Sequence, residues 1–255
     1  MSLNQILLSF VFVFLIQMFG FILGFFFKTD KFTDLFYGLC FSFLALFLLF
    51  YNKMFLFLHF VLVLMIFLWG FRLSGYLFYR ILKTKKDSRF DEIRNDFFKF
   101  LGFWLLQATA IFLIMLPSIV FLSTEINKIN FYTIIGFFIW FFGFLIETIA
   151  DFQKDIFKKK HKDKFINTGL WKYSRHPNYF GEILCWLGIF IFTSPSLKGI
   201  LWLTIISPIF IIFLLLFISG IPILEKNADR RYGHLKEYQE YKRKTSLLIL
   251  WFNKK

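Results

Sequence analysis

The sequence is poor in cysteine, proline and acidic residues. It has two cysteines, five prolines and sixteen Asp plus Glu among 255 residues. Cys40 and Cys185 both fall in long apolar segments, so they fit neither a disulfide framework nor a metal site. There is no internal repeat and no low-complexity tail. The first apolar segment lacks a small-residue cleavage site, which predicts a retained helix rather than a removed signal peptide.

Apolar residues dominate instead. They make up 58% of the chain, with 43 phenylalanines, well above the share typical of a soluble domain. A helix of about 20 apolar residues crosses a hydrocarbon core of ~30 Å. We therefore predict an all-α integral membrane protein, with one seven-helix domain over residues 1–255. The helices are predicted at approximately 5–27, 32–51, 54–79, 97–122, 130–150, 178–197 and 199–221, followed by a cytosolic amphipathic tail at 222–255.

The basic residues predict the orientation of this bundle. With seven helices, 27 of the 30 Lys plus Arg fall on one side, and only Lys53, Lys128 and Lys198 fall on the other. The positive-inside rule makes the basic side cytosolic, with the N-terminus outside or luminal and the C-terminus cytosolic. A bacterial inner membrane and an endoplasmic reticulum both fit this topology.

The net charge of +14 follows largely from topology and from contact with anionic membrane lipids. Because the basic residues are divided among loops at one membrane face, the sequence disfavours nucleic-acid binding. Some of these cations also suit the phosphates of a soluble anionic cofactor.

Polar residues inside the predicted helices converge on the cytosolic half. They are Asp34 and Tyr37 in helix two, Arg72, Tyr76 and Arg80 in helix three, Gln107 in helix four, Glu147 and Asp151 at the end of helix five, and Asn178 and Glu182 in helix six. Charged groups facing lipid cost ~2.5–3.5 kcal/mol each at mid-helix. We therefore expect a water-accessible cavity that admits a hydrophobic substrate from the membrane and a charged partner from the cytosol. A role as plain interfacial anchors remains open for Arg72 and Arg80.

The stretch Gly169–Glu182, GLWKYSRHPNYFGE, is the most informative pattern. With Trp186 it resembles the signature of the steroid 5-alpha-reductase-like membrane proteins, in particular the branch known as DUF1295. Further stretches that fit this branch are Asp34–Gly38, Trp69–Arg80, Arg89–Arg94 with Gln107, Ser219–Pro222 with Glu225, and Tyr232–Ser246. Isoprenylcysteine carboxyl methyltransferases and sterol reductases carry related arginine-histidine-tyrosine runs. Asn178 followed by Gly181-Glu182 favours the reductases.

The resemblance implies NADPH-dependent reduction of a carbon–carbon double bond conjugated to a carbonyl, in a lipid or sterol-like substrate and without a metal. Asn178 and Glu182 would hold the nicotinamide carboxamide, and Asp151 would hold cofactor hydroxyls. Glu147 stands where relatives have Asn. The other cofactor-binding residues implied are Lys158, Arg175, Arg230 and Arg231 for the phosphates, with His176, Tyr179 and Tyr232.

The predicted catalytic residues are Asp34, Tyr37, Arg72 and Tyr76. Steroid reductases use an acid in helix two and a Tyr in helix three, where donors polarise the substrate carbonyl as an oxyanion hole does. Here Trp69 stands at the expected place of that Tyr, and Tyr76, a turn beyond Arg72, could substitute.

Two alternatives stay open. A methyltransferase using S-adenosylmethionine on a lipidated acceptor would bind its cofactor through Arg175, His176, Tyr179 and Glu225, which leaves Glu182 unexplained. A non-catalytic membrane scaffold or lipid-binding protein would bind neither cofactor.

Overall fold

The chain folds into helices throughout the part that the structure, a computed structural model, describes: residues 3–84, 90–91, 93–161 and 163–252. Arg89 and the end of the predicted tail, 253–255, lie outside these residues. The described ranges contain no β-strand, which confirms the predicted all-α class. The α-helices are α1 (Leu3–Phe26), α2 (Thr33–Asn52), α3 (Phe57–Thr84), α4 (Phe97–Leu122), α5 (Phe131–Lys160), α6 (Pro177–Thr193), α7 (Ile206–Phe213), α8 (Ile221–Tyr232) and α9 (Lys236–Lys244).

In the described part of the chain, seven helical segments are long and apolar enough to cross a membrane, as predicted. Two helices extend beyond their predicted ends. α3 continues to Thr84 rather than 79, and α5 to Lys160 rather than 150. The length of an apolar run reflects the thickness of the hydrocarbon core, whereas backbone hydrogen bonding can continue a helix beyond that core, and polar pairs one turn apart support it there. In α5 the Asp155 carboxylate lies 2.6 Å from Lys159 Nζ, one turn on.

The seventh segment, predicted as one helix over 199–221, is not a continuous α-helix. A 3-10 helix at Gly199–Ile205 leads into α7, and a π-helix at Leu214–Ile218 follows it. At Gly220 a Cβ atom would lie 2.5 Å from the Leu215 carbonyl oxygen, so only glycine fits this bend. Pro222 then stands in the first turn of α8, where a missing N–H costs nothing. The predicted tail therefore begins as a helix.

The chain divides into two compact units. Unit 1 is Met1–Thr133 with Phe192–Ser207, and unit 2 is Ile134–Ile191 with Pro208–Lys255. The single domain expected from the sequence stays a prediction.

In unit 1, α2 and α3 approach closely at small residues. A Cβ atom at Gly70 would lie 2.5 Å from the Gly38 carbonyl oxygen, and one at Gly38 would lie 2.8 Å from the Gly70 carbonyl oxygen. Glycine lets two membrane helices come this close because no side chain separates their backbones. A second contact is aromatic: Trp69, fully buried, meets Phe41 edge to face with ring centroids 5.2 Å apart.

In unit 2, α5 and α6 meet along a row of glycines. A Cβ atom at Gly143 would lie 2.7 Å from the Gly181 carbonyl oxygen, and one at Gly188 would lie 2.4 Å from the Trp140 backbone nitrogen. Because the obstructing atoms are backbone, neither helix can yield by a side-chain rotation. This close approach brings the polar residues of the two helices into contact.

The glycine row gives a testable prediction. Replacing Gly188 with alanine should destabilise the protein by about 1–3 kcal/mol, because the added methyl group overpacks a backbone contact. Gly102→Ala is the matched control, since a Cβ atom there meets nothing within 4 Å. The melting temperature in detergent should fall clearly for Gly188→Ala and should not fall for Gly102→Ala. Equal melting temperatures would contradict the close packing.

Candidate cofactor site

One face of α5 changes from acidic to basic along its length. Glu147, Asp151, Lys154 and Lys158 are spaced by four, three and four residues, so they share that face. Glu147 is 2% exposed and Asp151 is 6% exposed, in a helix with an apolar span. The four positions cover about 16 Å along the axis. This face therefore offers acceptors at one end and cations at the other.

The acidic end of this face meets the first turns of α6. Asn178 Nδ2 donates a hydrogen bond of 3.2 Å to Asp151 Oδ1. The other amide atom, Asn178 Oδ1, is buried and has no hydrogen-bond partner in the described part of the chain. Glu182, one turn further, is 8% exposed. Glu147 Oε2 lies 4.0 Å from Cys185 Sγ, also on α6.

Glu225 of α8 binds three cationic or polar side chains. Its carboxylate lies 2.5 Å from Arg175 Nη1, 2.9 Å from His176 Nε2 and 3.3 Å from Lys242 Nζ. The His176 ring stacks on Tyr179, with centroids 5.8 Å apart and planes 12° from parallel. Burial lowers the pKa of His176 below its ordinary value of 6.5, against the opposing effect of Glu225. His176 is therefore neutral at pH 7 and donates from Nε2 to the carboxylate.

A pocket of about 140 Å³ lies in unit 2 between the basic end of α5 and Glu225. Its charged walls are Lys154, Lys158, Arg175 and Glu225. Because these walls contain three cations and one carboxylate, the net charge of the pocket lining is positive. Lys158 Nζ donates to Tyr232 OH at 3.0 Å. Lys154 Nζ lies 4.7 Å from the centroid of the Trp171 ring. A pocket with this lining suits a phosphate or another small anion.

Five aromatic side chains also line this pocket: Phe165, Trp171, Tyr232, Tyr238 and Tyr241. Burial raises the pKa of the Tyr238 and Tyr241 hydroxyls, so both stay protonated donors. Tyr241 donates to the Trp171 carbonyl oxygen at 2.6 Å, and Trp171 Nε1 donates to the Ala150 carbonyl oxygen at 3.0 Å. These bonds join α9 to α5 through the loop that precedes α6.

The cofactor-binding residues predicted from the sequence are thus distributed unevenly. Lys158, Arg175, His176 and Tyr232 line the pocket, whereas Arg230 and Arg231 are exposed and do not. Arg231 Nη2 instead lies 2.8 Å from Asp163 Oδ1.

Sequence reasoning missed Lys154, Trp171, Tyr238 and Tyr241 as lining residues, and assigned Glu225 only in the methyltransferase alternative. Lys154 carried a usable signal, because it stands seven residues after Glu147. The predicted end of the helix at 150 concealed it.

The predicted catalytic residues lie in unit 1. Asp34 Oδ2 is 3.7 Å from Arg80 Nη2, and the Asp34 side chain is 26% exposed. The Tyr37 ring meets Phe41 edge to face at 5.2 Å. Arg72 and Tyr76 are half-buried on α3. Their catalytic roles stay predictions.

Comparison with known proteins identifies the family. The family model described as "Protein of unknown function (DUF1295)" matches residues 20–245. The chain belongs to the DUF1295 family. The membership predicted from the Gly169–Glu182 stretch is therefore confirmed, and every predicted site residue of this DUF1295 protein falls inside the match. No curated protein and no solved structure matches the chain. Among the described residues, no three His, Cys, Asp or Glu side chains group as metal ligands.

His176 gives a prediction about pH. Its pKa is lowered in the folded protein by burial, with Lys154 and Arg175 acting in the same direction and Glu225 against it. Below pH 6.5 the unfolded chain takes up a proton that the folded chain resists. The contribution of His176 to the free energy of unfolding is therefore fully present above that pH. It declines as the pH falls, by at most about 1.4 kcal/mol per pH unit.

The measurement is the melting temperature between pH 7.5 and 5.0 for the wild type and His176→Gln. The wild type should lose more stability than the variant over this range. Parallel curves would show that His176 does not resist protonation in the folded state.

Proposed function

We propose that this DUF1295 protein binds NADPH and reduces a carbon–carbon double bond conjugated to a carbonyl in a lipid or sterol-like substrate. The observation that carries the proposal is the face of α5 that runs from Glu147 to Lys158. NADPH has the same asymmetry, with a neutral carboxamide at one end and its diphosphate and 2′-phosphate further along the molecule. The reaction itself rests on the resemblance to steroid 5-alpha-reductase-like proteins.

The acidic end of the site suits a carboxamide. Among the described residues the buried Asn178 Oδ1 has no hydrogen-bond partner, and such an atom carries a desolvation cost of about 1–3 kcal/mol until a donor reaches it. A carboxamide N–H₂ provides that donor, and Glu182 offers a second acceptor one turn away. Asp151 fixes the amide of Asn178 by accepting its hydrogen bond, which keeps Oδ1 available.

The basic end suits phosphates. Lys154 and Lys158 stand on the same face of α5, and Arg175 lines the same pocket. The indole of Trp171 and the phenol of Tyr241 add flat surfaces against which a nucleotide base can stack. A phosphate here would compete with Glu225 for Arg175.

NADPH supplies the hydride, and the protein supplies binding, orientation and a proton. Addition of hydride to the β-carbon leaves negative charge on the carbonyl oxygen, which must be stabilised before a proton reaches the α-carbon. Asp34, Tyr37, Arg72 and Tyr76 are the proposed donors for these two tasks.

A methyltransferase using S-adenosylmethionine is the second candidate, because Glu225 binds Arg175 and His176, and the His176 ring stacks on Tyr179. S-Adenosylmethionine carries a carboxylate and a sulfonium but no phosphate. It therefore brings no phosphate to the cationic walls of the pocket, Lys154, Lys158 and Arg175, and this favours NADPH.

The test is titration of the purified protein with NADPH and with S-adenosylmethionine, followed by thermal stability. We expect stabilisation by NADPH, and we expect Glu182→Gln to weaken NADPH binding at least about tenfold, since it replaces a charge-assisted hydrogen bond with a neutral one. The melting temperature of the ligand-free variant should match that of the wild type.

Glu240→Gln is the matched control, because Glu240 pairs with Lys244 on α9 and is 57% exposed. It should bind NADPH as the wild type does. Stabilisation by S-adenosylmethionine alone would favour the methyltransferase, and undiminished NADPH affinity in Glu182→Gln would refute the carboxamide assignment. NADPH oxidation in the presence of fractionated membrane lipids then tests for the reductase and identifies its substrate class.

A further inference from the structure

The C-terminal strap, residues 245–252, is bound to the loop that precedes α6. The Arg175 amide donates to the Ser246 carbonyl oxygen at 2.8 Å, and Ser174 Oγ donates to the Leu248 carbonyl oxygen at 2.7 Å. The Trp251 amide donates to the Tyr173 carbonyl oxygen at 3.3 Å. The strap therefore fixes the backbone of the same loop whose side chains, Arg175 and His176, bind Glu225.

The strap and this loop together expose an apolar patch. Its members are Ile249 (55% exposed), Trp251 (67%), Phe252 (81%) and Tyr173 (37%). The Tyr173 and Phe252 rings meet edge to face with centroids 6.3 Å apart. Side chains of this size stay exposed only at a cost unless something apolar covers them.

The position of the patch indicates what covers it. Tyr173 is four residues before Pro177, where the membrane-spanning segment that contains α6 begins. Four residues reach at most about 14 Å, so the patch lies within reach of the end of a membrane span. Tryptophan and tyrosine are the residues typical of that depth in a bilayer.

The charges around the patch favour an anionic surface. Lys172 Nζ lies 5.9 Å from the centroid of the Tyr173 ring, and the last turn of α9 is Lys242, Arg243 and Lys244. Apolar aromatic side chains flanked by cations are the composition of segments that bind the interface of anionic membranes.

We propose that the patch of Tyr173, Ile249, Trp251 and Phe252 inserts into the interface of an anionic phospholipid bilayer, and that this anchor holds the Arg175–His176 loop in place. Phospholipid is thus a partner of unit 2 and stabilises the loop from which Arg175 and His176 line the pocket. This inference does not depend on the identity of the cofactor.

The first experiment locates the patch relative to the bilayer. Ile249→Cys is labelled with a small fluorophore in nanodiscs of phosphatidylcholine with roughly 20% phosphatidylglycerol. The natural Cys40 and Cys185 are fully buried. Wild-type protein treated with the same fluorophore measures any labelling of these two cysteines. We expect strong quenching by lipids spin-labelled near the headgroup and at least about threefold weaker quenching by aqueous iodide than at Glu237→Cys, an exposed control on α9.

The second experiment tests the anchor. The melting temperature of the wild type should rise when phosphatidylglycerol replaces part of the phosphatidylcholine, and the double variant Trp251→Ala/Phe252→Ala should lose most of that rise. Trp202→Ala is the control, because Trp202 is 49% exposed but lies outside the patch, and it should keep the rise.

Iodide access at position 249 equal to that at 237, or an undiminished rise in the double variant, would overturn the proposal. So would quenching between labelled copies that grows with the number of proteins per nanodisc, because the patch would then bind a second copy of the chain rather than lipid.

Discussion

Most of the candidate site depends on the carboxylate of Glu225. It binds Arg175 and His176 of the loop before α6 and Lys242 of α9, so one group on α8 connects three separate segments of unit 2. A partly buried carboxylate is stable only when its charge is matched and its oxygens accept hydrogen bonds. Lys154 and Lys158 of α5 add two more cations to the lining of the same pocket. The arrangement therefore produces a positive pocket although it contains an acid.

The glycine row of α5 and α6 imposes the second constraint. With Gly143, Gly181 and Gly188 between the two backbones, Asp151 and Asn178 come within hydrogen-bond distance inside an apolar segment. Larger residues would separate the helices and leave the carboxylates in an apolar environment without partners, which is far more costly than pairing them. The close packing of α5 and α6 and the pairing of their buried polar side chains therefore both depend on the same glycines. The C-terminal strap, residues 245–252, also constrains the loop before α6, since the Arg175 amide donates a hydrogen bond to the Ser246 carbonyl oxygen.

Much of the fold was accessible from the sequence because the hydrophobic effect acts on runs of residues. Seven apolar runs predicted seven spans, and the family stretch from Gly169 to Glu182 predicted membership of DUF1295. The ends of α3 and α5 were not accessible, because hydropathy falls at the edge of the hydrocarbon core while helical hydrogen bonding continues. The π-helix at Leu214–Ile218 was not accessible either, since an apolar run has the same composition whether its hydrogen bonds span four residues or five.

The sequence by itself determined the class of protein, the spans and the residue types of the candidate site, because each depends on composition or on spacing along one helix. Tertiary structure decided which of those residues lie together. It placed Lys154 and Trp171 in the pocket, left Arg230 and Arg231 exposed, and seated the C-terminal strap against residues that lie about seventy positions earlier. Contacts between distant segments depend on how helices pack and where loops cross. The local sequence around a residue does not specify such contacts, because the interaction energies that select them come from residues far away in the sequence.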